Sequence, residues 1–147
     1  MDSPTYDTNV AEAVLDAVEA LCKRMEPSAP CAFEELTAEP GKMPRVMLKP
    51  LPSDPYEKRY VSGEEIRKFP FSATLRIEAD SEQKRLDAHQ WLMALAKGFG
   101  ACPIELEGMT VFQRSLTQMP TCLGRTERFE DWQINLSLKY KTQVRSS

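Results

Sequence analysis

The chain has 147 residues, with 19 basic and 22 acidic side chains and a formal net charge of −3. This length suits a single domain over residues 1–147, with a core large enough to need no disulfide or metal. The acidic balance argues against a general nucleic-acid binder, which is normally basic. The longest apolar run, Trp91–Ala96, is far shorter than the roughly 20 residues of a membrane span, so no membrane partner is expected.

The first predicted element is a helix from Asn9 to Met25. Apolar side chains recur at helical spacing on one face, and charged side chains occupy the opposite face. Asp7, Thr8 or Asn9 would cap its start. Seven of the eleven prolines then fall between residues 27 and 55, which predicts loop with one or two short strands.

Alternation of apolar and polar residues predicts the strands of one sheet. The clearest alternation runs from Phe69 to Ala79, where Phe71, Leu75 and Ile77 are expected on the buried face. The other expected strands cover residues 45–49, 57–61, 110–115 and 131–141.

A second helix is expected to follow the Phe69–Ala79 strand and to run to about Lys97. Asp80 would cap its start, and Gln83, three residues on, would complete a capping box. Gly98 or Gly100 would end it, because glycine favours the backbone conformation that closes a helix.

The apolar arc of this second helix is unusually wide. On a helical wheel it covers roughly 220°, whereas packing on one sheet face needs only a little over 100°. The first helix could cover the part of the arc that does not contact the sheet. Alternatively, this part of the arc could face another subunit. Leu86 and Met93 lie in this arc and are candidate interface residues.

The order of elements indicates the fold class. A helix, two or three strands, a second helix and two strands with short linkers predict an α+β domain. Half-polar strands predict an antiparallel or mixed sheet of four to five strands, with both helices packed on one face.

The sequence offers little that could carry catalysis. It contains no Gly-rich phosphate loop, HExxH or GxSxG motif. The four cysteines form no CxxC pair and there is one histidine, so no metal or cofactor is expected. His89 and Cys102 could form a base and nucleophile pair, but the neighbouring residues do not support it, and a packed or edge histidine is the better interpretation. The prediction is therefore a protein that is not an enzyme, with a small hydrolase using Cys102 or a carboxylate pair as the alternative.

Charged clusters give further candidate interface residues. Arg67 and Lys68 follow a predicted turn, where they could contact phosphate or an acidic protein surface, or protect a solvated strand rim from edge-to-edge pairing. Glu127 and Glu130 lie in an acidic turn before the last strand. They are candidates for the complementary charges across a contact between copies.

Three motifs stand in order within the stretch Tyr56–Thr142. They are RYVSG with FPF at 59–63 and 69–71, RLDA at 85–88, and MPT with EDWQINLSLKY at 119–121 and 130–140. In this combination the stretch resembles the tail-terminator or minor capsid proteins of long-tailed bacteriophages and prophages.

The resemblance implies a structural role without a reaction or a cofactor. Such proteins form a ring, typically of six copies, on the head-proximal end of the tail tube, where they stop polymerisation and join the filled head. The implied partners are further copies of the chain, the tail-tube protein and a head-completion or connector protein. DNA would pass through without specific binding.

The implied location is the head-proximal end of the virion tail, after assembly in the bacterial cytoplasm. An N-terminus without a basic start and an apolar stretch favours the same compartment. The alternative within this class is another head–tail connector or completion protein.

Overall fold

The computed structural model describes residues 6–37, 39, 41–52, 56–59, 64–78, 81–104, 106 and 108–142. Two helices and six strands make up the described chain. In order they are α1 (Tyr6–Arg24), β1 (Cys31–Phe33), β2 (Arg45–Pro50), β3 (Tyr56–Arg59), β4 (Glu65–Ile77), α2 (Glu82–Ala101), β5 (Met109–Arg125) and β6 (Glu130–Thr142).

All six strands belong to one sheet with the order β1-β2-β4-β6-β5, and β3 pairs with the first part of β4. β1 runs parallel to β2, whereas every other described pair is antiparallel. The predicted α+β class with a mixed sheet is confirmed. The sheet has one strand more than the expected four to five, because three residues of the proline-rich segment form β1.

α1 begins earlier than the sequence indicates. Asp7, Thr8 and Asn9 lie inside the helix instead of capping it, which corrects the predicted start. The buried face of α1 is a stripe of side chains spaced four residues apart, so they stack along one line of the helix. The stripe consists of Val10, Val14, Val18 and Cys22.

α2 is capped by Ser81, whose hydroxyl accepts a hydrogen bond from the Lys84 N–H at 3.3 Å. The predicted cap, Asp80, lies outside the described residues. No capping box forms here, because Lys84 stands at the third helical position and Gln83 instead donates to the Asp87 carboxylate at 2.9 Å. Serine supplies the same oxygen acceptor as aspartate, which explains a shift of one residue.

The end of α2 also departs from the prediction. Gly98 and Gly100 lie within the helix, which continues to Ala101, and the Cys102 N–H donates to the Gly98 carbonyl at 2.9 Å. A Cβ at position 98 would lie 2.8 Å from Leu21 Cδ1. The glycine therefore lets α1 approach α2 closely. Part of the wide apolar arc of α2 is covered in this way by α1.

The core lies between the sheet and the two helices, which share one face of it. Phe71 and Leu75 are 1% and 2% exposed, so their predicted burial is confirmed, and Ile77 is half-buried against the same cluster. Phe71 packs edge-on against Phe99 of α2, with ring centroids 5.2 Å apart. The alternation of β4 thus places its apolar residues under the helices.

Candidate interaction surface

β5 forms one edge of the sheet over its 17 residues. In the described sheet its partner is β6, and no other described strand lies along its outer side. An edge strand presents unpaired N–H and C=O groups that another chain can bond. At this length, β5 is the longest backbone edge that the described residues offer.

Four irregularities interrupt the register between β5 and β6. They fall between Val111 and Gln113, between Leu116 and Gln118, between Gln118 and Thr121, and between Cys122 and Gly124. Each inserts one extra residue into β5. Such bulges bend a strand and re-aim the inserted side chain away from the regular alternation.

The bulged segments expose large apolar side chains to solvent. Phe112, Met119 and Leu123 are 50%, 54% and 56% exposed. They make up three of the five large apolar side chains that are exposed in the described chain. We refer to these three side chains and the outer edge of β5 as the β5 surface.

The β5 surface combines protection of an edge strand, through four bulges and Pro120, with exposed apolar side chains. Soluble proteins use charges, proline or bulges to stop edge strands from pairing with other chains. Here the bulges present phenylalanine, methionine and leucine, which lose contact with water favourably when a partner covers them. The arrangement therefore suits a protein partner that contacts these apolar side chains.

The opposite edge of the sheet is short. β1 covers three residues, and Phe33 at its end is 39% exposed. Exposed apolar side chains thus lie at both edges, on two surfaces that differ in length and sequence. Two unlike patches on one subunit are what a head-to-tail contact between copies requires.

Glu130 was expected on an exposed acidic turn, and the structure corrects this expectation. Its side chain is 0% exposed and is enclosed by Arg85, Arg125 and Trp132. Oε2 accepts from Arg85 Nε at 3.0 Å and forms an ion pair with Arg125, whose Nε lies 2.7 Å away, while Oε1 accepts from the Trp132 indole N–H at 2.6 Å. The carboxylate therefore ties α2 to the end of β5 and the start of β6.

The electrostatic balance at Glu130 favours its charged form. Burial by itself would raise the pKa of this carboxyl, but the Trp132 hydrogen bond and the guanidiniums of Arg85 and Arg125 outweigh it and lower the pKa below its usual range. The group is therefore a charged structural anchor and no longer a candidate for contact with another copy.

The other candidate interface residues lie at separate places. Arg67 is 3% exposed and donates to Glu65 Oε1 at 3.1 Å, so it too is held inside the subunit. Lys68 is half-buried opposite Lys139 of β6. Met93 on α2 is also half-buried, whereas two candidates are exposed: Glu127 on the β5–β6 turn and Leu86, which is 53% exposed.

His89 and Cys102 are not brought together. Both belong to α2 or its cap, and 13 residues of helix separate them by about 20 Å. Cys102 is buried, and the guanidinium of Arg114 lies 3.8 Å from its sulfur. The geometry of a nucleophile beside its base is therefore absent from this pair.

The cysteines are all free thiols. A hydrogen bond with the Cys22 thiol, together with burial, raises the pKa of Cys31, so this thiol stays protonated at neutral pH. Among the residues that the structure describes, no three His, Cys, Asp or Glu side chains are grouped closely enough to hold a metal ion. No described helix has the length and apolar character to cross a membrane.

Arg114 is a structural residue that the sequence did not indicate. Its Nη1 donates to the Phe99 carbonyl at 2.7 Å and to the Cys102 carbonyl, and its guanidinium lies 5.8 Å from the Phe99 ring centroid. A positive charge on the last carbonyls of a helix satisfies unpaired acceptors and opposes the negative end of the helix dipole. β5 thereby holds the end of α2.

We expect Arg114→Ala to lower the free energy of unfolding by about 1–2 kcal/mol, since the α2 carbonyls lose a charged donor. Urea denaturation measures the change. Gln113→Ala, at the exposed neighbouring position of the same strand, is the matched control and is expected to change it by less than about 0.5 kcal/mol. Equal losses in the two variants would contradict the capping role.

Comparison with known proteins extends only to the fold. No family model matches the chain, and no curated protein matches it. One of the solved structures that match is similar over 100% of both chains, with 15% identity and a TM-score of 0.56. At this identity the likeness concerns the fold alone.

Proposed function

We propose that this chain is a tail terminator of a long-tailed bacteriophage or prophage. It forms a ring, typically of six copies, on the head-proximal end of the tail tube, stops tube polymerisation and provides the surface that joins the head. The observation that carries the proposal is the β5 surface, a 17-residue edge strand with three exposed apolar side chains at its bulges. It adds to the ordered motifs between Tyr56 and Thr142 that resemble this family.

A ring on a tube end needs two kinds of contact. Each subunit must contact its neighbours through two different patches, and it must also cover the growing end of the tube. The β5 surface and the Phe33 end of the sheet supply unlike apolar patches on opposite edges. Among the described residues no further strand lies along either edge, so both are available to neighbouring subunits.

The remaining parts of the proposal concern partners. The ring contacts the tail-tube protein on one side and a head-completion or connector protein on the other, and DNA passes through without specific binding. A net charge of −3 suits such a passage, because neutralising many phosphates would require a clearly basic surface. No reaction or cofactor is part of this role, and the separation of His89 from Cys102 speaks against that pair as a hydrolase site.

The experiment mixes the purified chain with polymerising tail-tube subunits of the same phage or prophage and images the products by electron microscopy. The expected result is tubes of arrested length with added density at one end. Tubes that grow unchanged, without density at either end, would reject the terminator role. Binding to the head connector without any effect on tubes would instead assign the chain to the connector or completion class.

Two variants connect this assay to the β5 surface. Met119→Asp places a charge on an exposed apolar position and is expected to abolish capping at concentrations where the wild-type chain caps every tube. Thr117→Asp introduces the same charge at another exposed bulge position of β5 without removing an apolar side chain, and is expected to retain capping. Unimpaired capping by Met119→Asp would exclude the β5 surface from assembly.

A further inference from the structure

A groove beside Trp91 plays no part in the role proposed above. It lies between α2 and the segments that precede β1 and β2, and consists of two adjacent depressions of about 290 Å³ and 550 Å³. Both depressions are lined by Pro27, Asp87 and Trp91. Together they have the size that buries side chains of a ligand or a peptide.

The floor of the smaller depression is apolar. Met43 and Pro44 line it from one side, and Leu75 and Ile77 line it from β4. The Trp91 indole N–H donates to the Pro27 carbonyl at 2.8 Å, so the polar atom of this aromatic ring is already satisfied. A bound side chain would therefore meet carbon surface, which favours a large apolar residue.

The rim of the groove is acidic. Glu26, Glu78 and Asp87 are exposed carboxylates in its lining, against one ammonium group among the described lining residues, that of Lys84. Glu78 accepts from the Gly41 N–H at 3.4 Å and Asp87 accepts from the Gln83 amide at 2.9 Å. These two donors are uncharged, so the rim retains negative charge that suits a cationic partner.

The length of the groove distinguishes a peptide from a small ligand. Its lining on α2 extends from Lys84 to Ala94, which corresponds to about 15 Å along the helix axis. An extended chain covers the same distance in about five residues, at roughly 3.3 Å each. We propose that this groove binds an extended segment of a partner protein in which one large apolar residue is flanked by lysine or arginine.

The test uses two blocked pentapeptides that differ only in charge. Both have leucine at the centre and glycine on either side of it, with lysine at both ends of the first peptide and glutamate at both ends of the second. Nuclear magnetic resonance follows the two indole N–H signals of the chain. Trp91 reports on the groove, and Trp132, whose N–H is bonded to Glu130, is the internal control.

The lysine peptide is expected to shift the Trp91 signal in a saturable manner without moving the Trp132 signal. The glutamate peptide is expected to bind about tenfold more weakly, because several rim charges change from attraction to repulsion. Glu78→Gln combined with Asp87→Asn is expected to abolish this difference, whereas Asp16→Asn, on the exposed face of α1, retains it. Raising the salt concentration to about 0.5 M should also reduce it.

Three outcomes would overturn the proposal. The first is no shift of Trp91 with either peptide, and the second is equal binding of the two peptides. The third is self-association of the free chain that Asp87→Lys abolishes, which would make a second copy the occupant of the groove. None of these outcomes bears on tube capping, which is measured without the peptides.

Discussion

Phe71→Ala is expected to lower the free energy of unfolding by about 3–5 kcal/mol. Phe71 is 1% exposed, lies at the centre of β4 between β2 and β6, and packs edge-on against Phe99 at 5.2 Å. Its removal leaves a cavity under α2 that the surrounding side chains can fill only in part, and also removes the aromatic contact.

Phe112→Ala is the matched control for this prediction. The substitution is chemically the same, but Phe112 is 50% exposed at a bulge of β5, so its loss is expected to change the free energy of unfolding by no more than about 0.5 kcal/mol. Urea denaturation of both variants gives the comparison. A loss below about 1 kcal/mol for Phe71→Ala would contradict the placement of the core.

Glu130→Gln is expected to lower the free energy of unfolding at pH 7 by about 2–3 kcal/mol. The substitution keeps the shape of the side chain and an oxygen acceptor for the Trp132 indole, but removes the charge that Arg85 and Arg125 contact at 3.0 and 2.7 Å. The exposed Glu127 on the same turn provides the control, and Glu127→Gln is expected to have almost no effect.

The pH dependence of this effect has a definite sign. The pKa of Glu130 is lower in the folded chain than its ordinary value, because the Trp132 hydrogen bond and the two guanidiniums outweigh the effect of burial. Its stabilising contribution is therefore complete above the unfolded pKa of about 4.3 and is lost as the pH falls through the folded pKa.

The wild-type chain and Glu130→Gln should accordingly differ by a constant amount from pH 7 down to about pH 5, and the difference should shrink below about pH 4. Urea unfolding at a series of pH values tests this. A difference that grows toward acid would mean that the buried carboxyl is stabilised in its protonated form.

The residues that stabilise the subunit are distinct from those that it exposes to partners. Phe71 and Glu130 are inaccessible and have their contacts within the chain, whereas Phe112, Met119 and Leu123 contribute little to the fold. Changes at the β5 surface are therefore expected to affect assembly without affecting stability. This separation makes the capping assay interpretable, because a folded variant that fails to cap has lost a contact and not its structure.

The sequence by itself determined the elements whose signal is local. Alternation from Phe69 onward predicted the buried face of β4, because successive side chains of a strand point to opposite faces whatever the strand packs against. The apolar stripe of α1 was equally readable at helical spacing. From these patterns the α+β class follows, since each one-sided element must bury its apolar face against another.

The tertiary structure decided the features that depend on distant residues. β5 continues through Pro120 to Arg125 because β6 pairs with it along its length, although its own bulged sequence lacks clear alternation. α2 continues through Gly98 and Gly100 because its end is held by Arg114 of β5.

The expectation that Glu130 is exposed was wrong because its burial also depends on distant residues. From the sequence it is one of several charges in a polar turn, and nothing local predicts that Arg85, 45 residues earlier, will lie beside it. A buried charge becomes stable only when its partners converge on it in three dimensions. Local periodicity predicts the fold class of this protein. Contacts between residues far apart in the chain determine the strand order, the helix ends and the partners of buried charges.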